Sequence, residues 1–162
     1  MLKLRKNKKG FTLVELIVVI AIMAVLAGTV AGVTVSQLNK SKNDTAASEI
    51  KNLLNDFETF LASYDTSEID DATKAGTAVG AFNTEKKAAK GITTDILVAK
   101  TAGQAAGIKA GAGQYAYAVT YTAAQAATGT TAAVPAKITL TIWCDKVGST
   151  GSTPTATRTY EI

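Results

Sequence analysis

Between Leu16 and Asn39 the chain carries no charged residue, and from Leu16 to Val35 only Gly28, Thr29, Gly32 and Thr34 interrupt a run of apolar letters. An α-helix rising ~1.5 Å per residue needs roughly 20 such residues to cross a hydrocarbon core of ~30 Å, so this run is long enough to span a bilayer. Its β-branched members, Ile17, Val18, Val19 and Ile20 among them, lower helix propensity in water. Lipid offers their backbone groups no other partner, so helix is the only sensible reading. Lys3, Arg5, Lys6, Lys8 and Lys9 precede the run, and only Lys40 and Lys42 follow it closely. The positive-inside rule then keeps the N-terminus in the cytoplasm and sends the rest of the chain outside.

The same five basic residues explain the formal charge. Removing them from the chain's +4 leaves −1, so the basic balance is an address or an orienting segment, and nucleic acid is not expected as a partner. At 162 residues, 47% apolar and 19% charged, the chain has material for one modest domain and is not disordered by composition. Histidine is absent and cysteine occurs once, at Cys144. That removes histidine-based catalytic dyads and triads, thiolate zinc sites and an intramolecular disulfide framework. No enzyme activity and no cofactor are expected. Asp65, Glu68, Asp70 and Asp71 lack the organised loop of a calcium site and read as solvated. Tyr115, Tyr117, Tyr121, Trp143 and Tyr160 have no basic groove interleaved with them and read as packing residues.

Past the apolar run, Ile50, Leu53, Leu54, Phe57, Phe60 and Leu61 recur at three- and four-residue steps, opposite Lys51, Asn52, Asp56 and Glu58. The spacing predicts that one helix leaves the membrane and continues as an amphipathic helix to about Tyr64. Unbroken from Phe11, it would reach ~80 Å. Residues 65–113 shift to Ala, Gly, Thr and Lys and read as a connecting region, with short helices stopped by Gly76, Gly91 and Gly103. Period-two alternation follows. Tyr115, Tyr117, Val119 and Tyr121 share one face of a strand; Ile138, Leu140, Ile142 and Cys144 share one face of a second, which makes Cys144 a small buried residue. A third strand is expected over Thr155 to Ile162, after Gly148, Gly151 and Pro154. The fold class is therefore α+β: a long N-terminal helix whose second half packs on a small antiparallel sheet. The segments are 1–10, 11–35 (apolar helix), 36–64 (amphipathic helix), 65–113 (connection) and 114–162 (sheet and C-terminal region).

One residue is out of place. Glu15 sits at the head of the apolar run, where a carboxylate is costly in hydrocarbon and, by default, functional; its economical partner is a cation at similar depth. With Lys9-Gly10-Phe11-Thr12-Leu13-Val14-Glu15 ahead of the apolar run, the chain resembles the type IV pilins and their relatives, the type IV filament superfamily. The resemblance implies a pilin fold and a structural role. It implies that residues 1–10 are a leader, that a prepilin peptidase cuts between Gly10 and Phe11, and that the new Phe11 amine is N-methylated. Glu15 would then be the buried glutamate that pairs with the Phe11 amine of a neighbouring subunit during filament assembly.

The implied partners are further copies of the chain in a helical homopolymer, the peptidase, a cytoplasmic assembly ATPase and a platform protein. The implied location is the cytoplasmic membrane as prepilin, then a surface pilus; adhesion, twitching motility, biofilm formation and DNA uptake are tasks of the superfamily that the chain does not rank. Gly32 stands where many pilins carry a helix-bending proline, and lone Cys144 cannot close a C-terminal disulfide loop, which leans toward a Gram-positive bacterial major pilin. The alternatives are a pseudopilin of a secretion or competence system, a monomeric membrane-tethered binding module, and an ordinary secretory signal ending near Ala27 to Ala31.

Overall fold

Helix α1 (Leu13–Ser63) runs for 51 residues. It belongs to a computed structural model that describes residues 10–101, 107–148 and 152–162; the basic residues ahead of Gly10, and Gly103 and Gly151, lie outside the described residues. The chain divides into two units, one through Leu38 and one over Asn39–Ile162.

In the first unit the helix passes through Gly28 and Gly32 without a break. No proline removes a backbone donor there, and an isolated glycine costs only about 1 kcal/mol. The two hydroxyls within the apolar stretch are satisfied locally: Thr29 donates to the Leu26 carbonyl at 2.9 Å and Thr34 to the Val30 carbonyl at 2.8 Å. Apolar side chains cover this helix all round and remain exposed, from Leu13 to Leu38.

In the second unit α1 becomes one-sided. Ala46, Ile50, Leu53, Leu54, Phe57 and Leu61 are buried, the stripe the three- and four-residue spacing predicts. Against it lies a four-stranded sheet of order β1-β2-β3-β4, formed by β1 (Leu97–Ala99), β2 (Tyr115–Thr122), β3 (Lys137–Asp145) and β4 (Ser152–Glu161). β2, β3 and β4 pair antiparallel; β1 joins β2 in parallel, so the sheet is mixed where a purely antiparallel one was expected. Ile138, Leu140, Ile142 and Cys144 are fully buried on the face toward α1, joined by Tyr115 and Tyr160. Tyr160 also ties sheet to helix, its hydroxyl donating to the Leu54 carbonyl at 2.7 Å. On the other face Trp143 and Ala116 form a small second cluster under Ile108.

Among its described residues, the region read as a connection with short helices holds one regular α-helix, α2 (Ala72–Lys90), which Gly76 does not stop. Its ends are well specified. The Asp71 side chain accepts from the Lys74 N–H at 2.8 Å, and Gly91, at φ 64°, takes the left-handed conformation that ends the helix. α2 buries Ala75, Ala78, Val79 and Phe82, and it fixes β1 through Asn83. That buried amide accepts from the Ile96 and Leu97 N–H groups at 2.9 and 3.1 Å and donates to the Leu97 carbonyl at 2.9 Å. Asn83→Ala strands three buried backbone groups. A loss of at least ~2 kcal/mol is expected, read as a lower urea midpoint with an unchanged slope.

Candidate functional site

The candidate site is the head of α1. Gly10, Phe11 and Thr12 are not helical, Phe11 is 92% exposed, and a Cβ placed on Gly10 would meet nothing within 4 Å. Among the described residues the Gly10–Phe11 peptide bond lies in a non-helical segment ahead of α1.

The helix then begins on a reciprocal cap. Thr12 is the residue before Leu13, and its hydroxyl accepts from the Glu15 N–H at 3.2 Å. In return, Glu15 Oε2 accepts from the Thr12 N–H at 2.9 Å and from the Thr12 hydroxyl at 2.8 Å. This is a capping box, in which two otherwise unsatisfied backbone donors of the first turn are paired. Its signal, Thr-x-x-Glu directly before an apolar run, is present in the sequence; attention to the charge of Glu15 hides it. Among the described residues the partner of the carboxylate is neutral Thr12, which orients it without pairing its charge, and the positive end of the helix dipole favours it there. Both bonds fall on Oε2, and a carboxylate has acceptor capacity to spare.

Residues 5–31 match a family model described as the prokaryotic N-terminal methylation motif. The chain carries a type IV prepilin signal. The match spans Gly10, Phe11, Thr12 and Glu15 together with most of the apolar helix, up to residue 31. No curated protein and no solved structure matches the chain. The match is confined to residues 5–31; it supports a type IV pilin-like or pseudopilin reading, a structural class, and such a signal generally implies a prepilin peptidase in a pilus-assembly setting. α1 is long and apolar enough to cross a membrane, and with the prepilin signal it fits membrane anchoring before assembly. The fold, a long N-terminal helix with a mostly antiparallel sheet, is pilin-like as well.

The other residues singled out by sequence have structural duties. Cys144 is fully buried, and burial pushes its thiol up to about 11, away from the thiolate that reactivity needs. In the acidic stretch, Asp65 accepts from the Ser67 hydroxyl and N–H at 2.6 and 3.1 Å, bonds that hold its carboxyl below the usual range, and so starts a 3₁₀ turn. Asp70 pairs with Lys74 at 2.8 Å and Asp71 caps α2. The Tyr115 hydroxyl donates to Glu49 across the sheet–helix interface; burial first, and that bond second, push its ionisation upward.

Proposed function

We propose that this chain is the major pilin of a type IV pilus, cleaved between Gly10 and Phe11, methylated on the Phe11 amine, and polymerised through the apolar half of α1. The observation that carries the reading is an apolar helix whose side chains lie exposed among the described residues, headed by a carboxylate that a neutral threonine orients.

Cleavage removes the five basic residues that hold the N-terminus at the cytoplasmic surface and creates a cation four residues ahead of Glu15. In a helical assembly each subunit's amine meets the Glu15 of another subunit. Such a contact is head-to-tail and propagates instead of closing. Methylation keeps the amine protonatable. Lateral packing of the apolar helices then contributes most of the cohesion, at ~25 cal/mol for each Å² removed from water. Ala24, Gly28 and Gly32, four residues apart, give one helix face on which backbones can approach closely. The partners in this scheme are other copies of the chain, the prepilin peptidase, an assembly ATPase and a platform protein, and the destination is the cell surface.

Two measurements test the reading. Intact-mass analysis of the exported protein is expected to find a chain beginning at methylated Phe11; a terminus near Gly28 or Gly32 would instead mark an ordinary secretory signal. Electron microscopy of sheared surface fibres is expected to show long filaments that contain this chain. Short, cell-bound fibres would identify a pseudopilin, and an exclusively monomeric membrane pool a tethered binding module.

A further inference from the structure

We infer that the end of the folded unit at which the chain enters from Leu38 is a docking surface for anionic phospholipid headgroups, those of the bilayer that holds the apolar half of α1. Four lysines from three separate stretches gather there. Lys40 and Lys42 come from α1, Lys109 from the segment bridged to the end of β3, and Lys146 from the residue after β3. Their convergence is fixed by close contacts. A Cβ on Gly111 would lie 3.6 Å from the Lys42 side chain, and one on Gly148 would lie 2.7 Å from the Asn39 amide. Asn43 donates to the Val147 carbonyl at 3.3 Å and accepts from the Val147 N–H at 3.0 Å.

Three carboxylates, Asp44, Glu49 and Asp145, face the four lysines at this end and leave it an excess of positive charge. Asp145 is 7% exposed, accepts from the Gly107 N–H at 3.0 Å, and stands 3.8 Å from the Lys109 ammonium. Glu49 takes the Tyr115 hydroxyl. Asp44 and Glu49 are both exposed, and Glu49 lies in the hollow that Lys42 and Gly111 line. At the opposite end of the sheet, where β2 and β4 finish and β3 begins, Asp65 and Asp70 line a hollow with Tyr121, Ala136 and Ile162, and Glu68 and Asp71 are close by in sequence. An anionic surface therefore attracts one end of the unit and repels the other.

Connectivity leaves only a short stretch of chain between the apolar run and the basic end. Lys40 follows Val35, the last residue of the apolar run, by five positions, ~8 Å of helix, which is within the ~8–10 Å over which salt screens a charge. Juxtamembrane lysines bind anionic lipid through this attraction. Here the fold adds Lys109 and Lys146, far away in sequence, to the pair beside the span. The surface would hold this face of the folded unit to the bilayer while the chain is membrane-anchored. It requires anchoring alone and stands whether or not the chain is a major pilin.

The test uses the full chain in vesicles of phosphatidylcholine with or without about one-third phosphatidylglycerol, a membrane-impermeant amine-acylating reagent, and mass spectrometry of each lysine. With anionic lipid, Lys40, Lys42, Lys109 and Lys146 are expected to react ~3-fold or more slowly, with recovery at high salt, while Lys74 and Lys90 are unchanged. Lys146→Glu, at an exposed position, is expected to relieve the slowing at Lys109. Equal rates in the two vesicle types overturn the inference, as does slowing in phosphatidylcholine alone that follows protein density, which would mean a second copy covers the surface. Slowing confined to Lys40 and Lys42 also overturns it, because the folded unit would then contribute nothing beyond the span's own flank.

Discussion

Phe57→Ala is expected to destabilise the second unit by ~3–5 kcal/mol, a fifth or more of the ~5–15 kcal/mol that holds a typical domain together. Phe57 is fully buried and its ring is the meeting point of three elements. It packs edge-on against Phe82 of α2 and against Tyr160 of β4, both at 5.3 Å between ring centres, and stacks with Phe60 of its own helix at 6.0 Å. Truncation removes the transfer energy of the ring and leaves a cavity that three rigid elements cannot close together. Phe60, which is only half-buried, costs less when truncated to alanine. Hydrogen exchange on the full chain in micelles checks both effects. Amides of α2 and β2–β4 are expected to lose protection in the Phe57 variant, while those between Leu13 and Leu38 keep theirs, because their helix draws on the micelle and not on this core. Equal loss in both units, or none in either, would contradict the division of the chain at Leu38.

Much of this architecture is legible in the sequence because the strongest signals are also local ones. The uncharged run, the stripe from Ile50 to Leu61 and the alternation from Ile138 to Cys144 each repeat one period long enough to fix both element type and buried face. α2 is harder to read. Its stripe of Ala75, Ala78, Val79 and Phe82 is built mostly of alanine, and Gly76 and Gly80 interrupt it; the cap at Asp71 and the stop at Gly91 are its clearest marks. β1 spans three residues and exists because Asn83 and β2 hold it, a tertiary cause with no local pattern. At the head of α1 the carboxylate is conspicuous and its cap with Thr12 is not, since an acid in an apolar run draws attention to charge before geometry. The gathering of Lys109 and Lys146 beside Lys42 depends on β3 ending against the start of the amphipathic helix half, which no one-dimensional pattern encodes.

Glu15 has two separable properties, an oxygen that caps and a charge that can pair, and two substitutions divide them. Glu15→Gln keeps a carbonyl oxygen able to accept from the Thr12 N–H, so the first turn of α1 survives, but it removes the negative charge. Thr12→Val removes the hydroxyl from the cap and leaves the carboxylate in place, weakening the helix start by ~1 kcal/mol. If the filament needs the charge, Glu15→Gln is expected to leave membrane insertion and leader removal intact and to cut the yield of sheared fibre at least ~10-fold. That factor corresponds to only ~1.4 kcal/mol per added subunit, a modest demand on a charge pair in a poorly solvated setting. Thr12→Val is expected to stay within ~2-fold of the unmodified chain, because a frayed turn that is re-formed by packing against neighbours loses little. The reverse order, with fibres abolished by Thr12→Val and undiminished by Glu15→Gln, would make Glu15 a capping residue and nothing more. Cohesion in the proposed filament would then rest on the apolar helices alone, and such packing lacks the longitudinal register that one charge seeking one amine would impose on every incoming subunit.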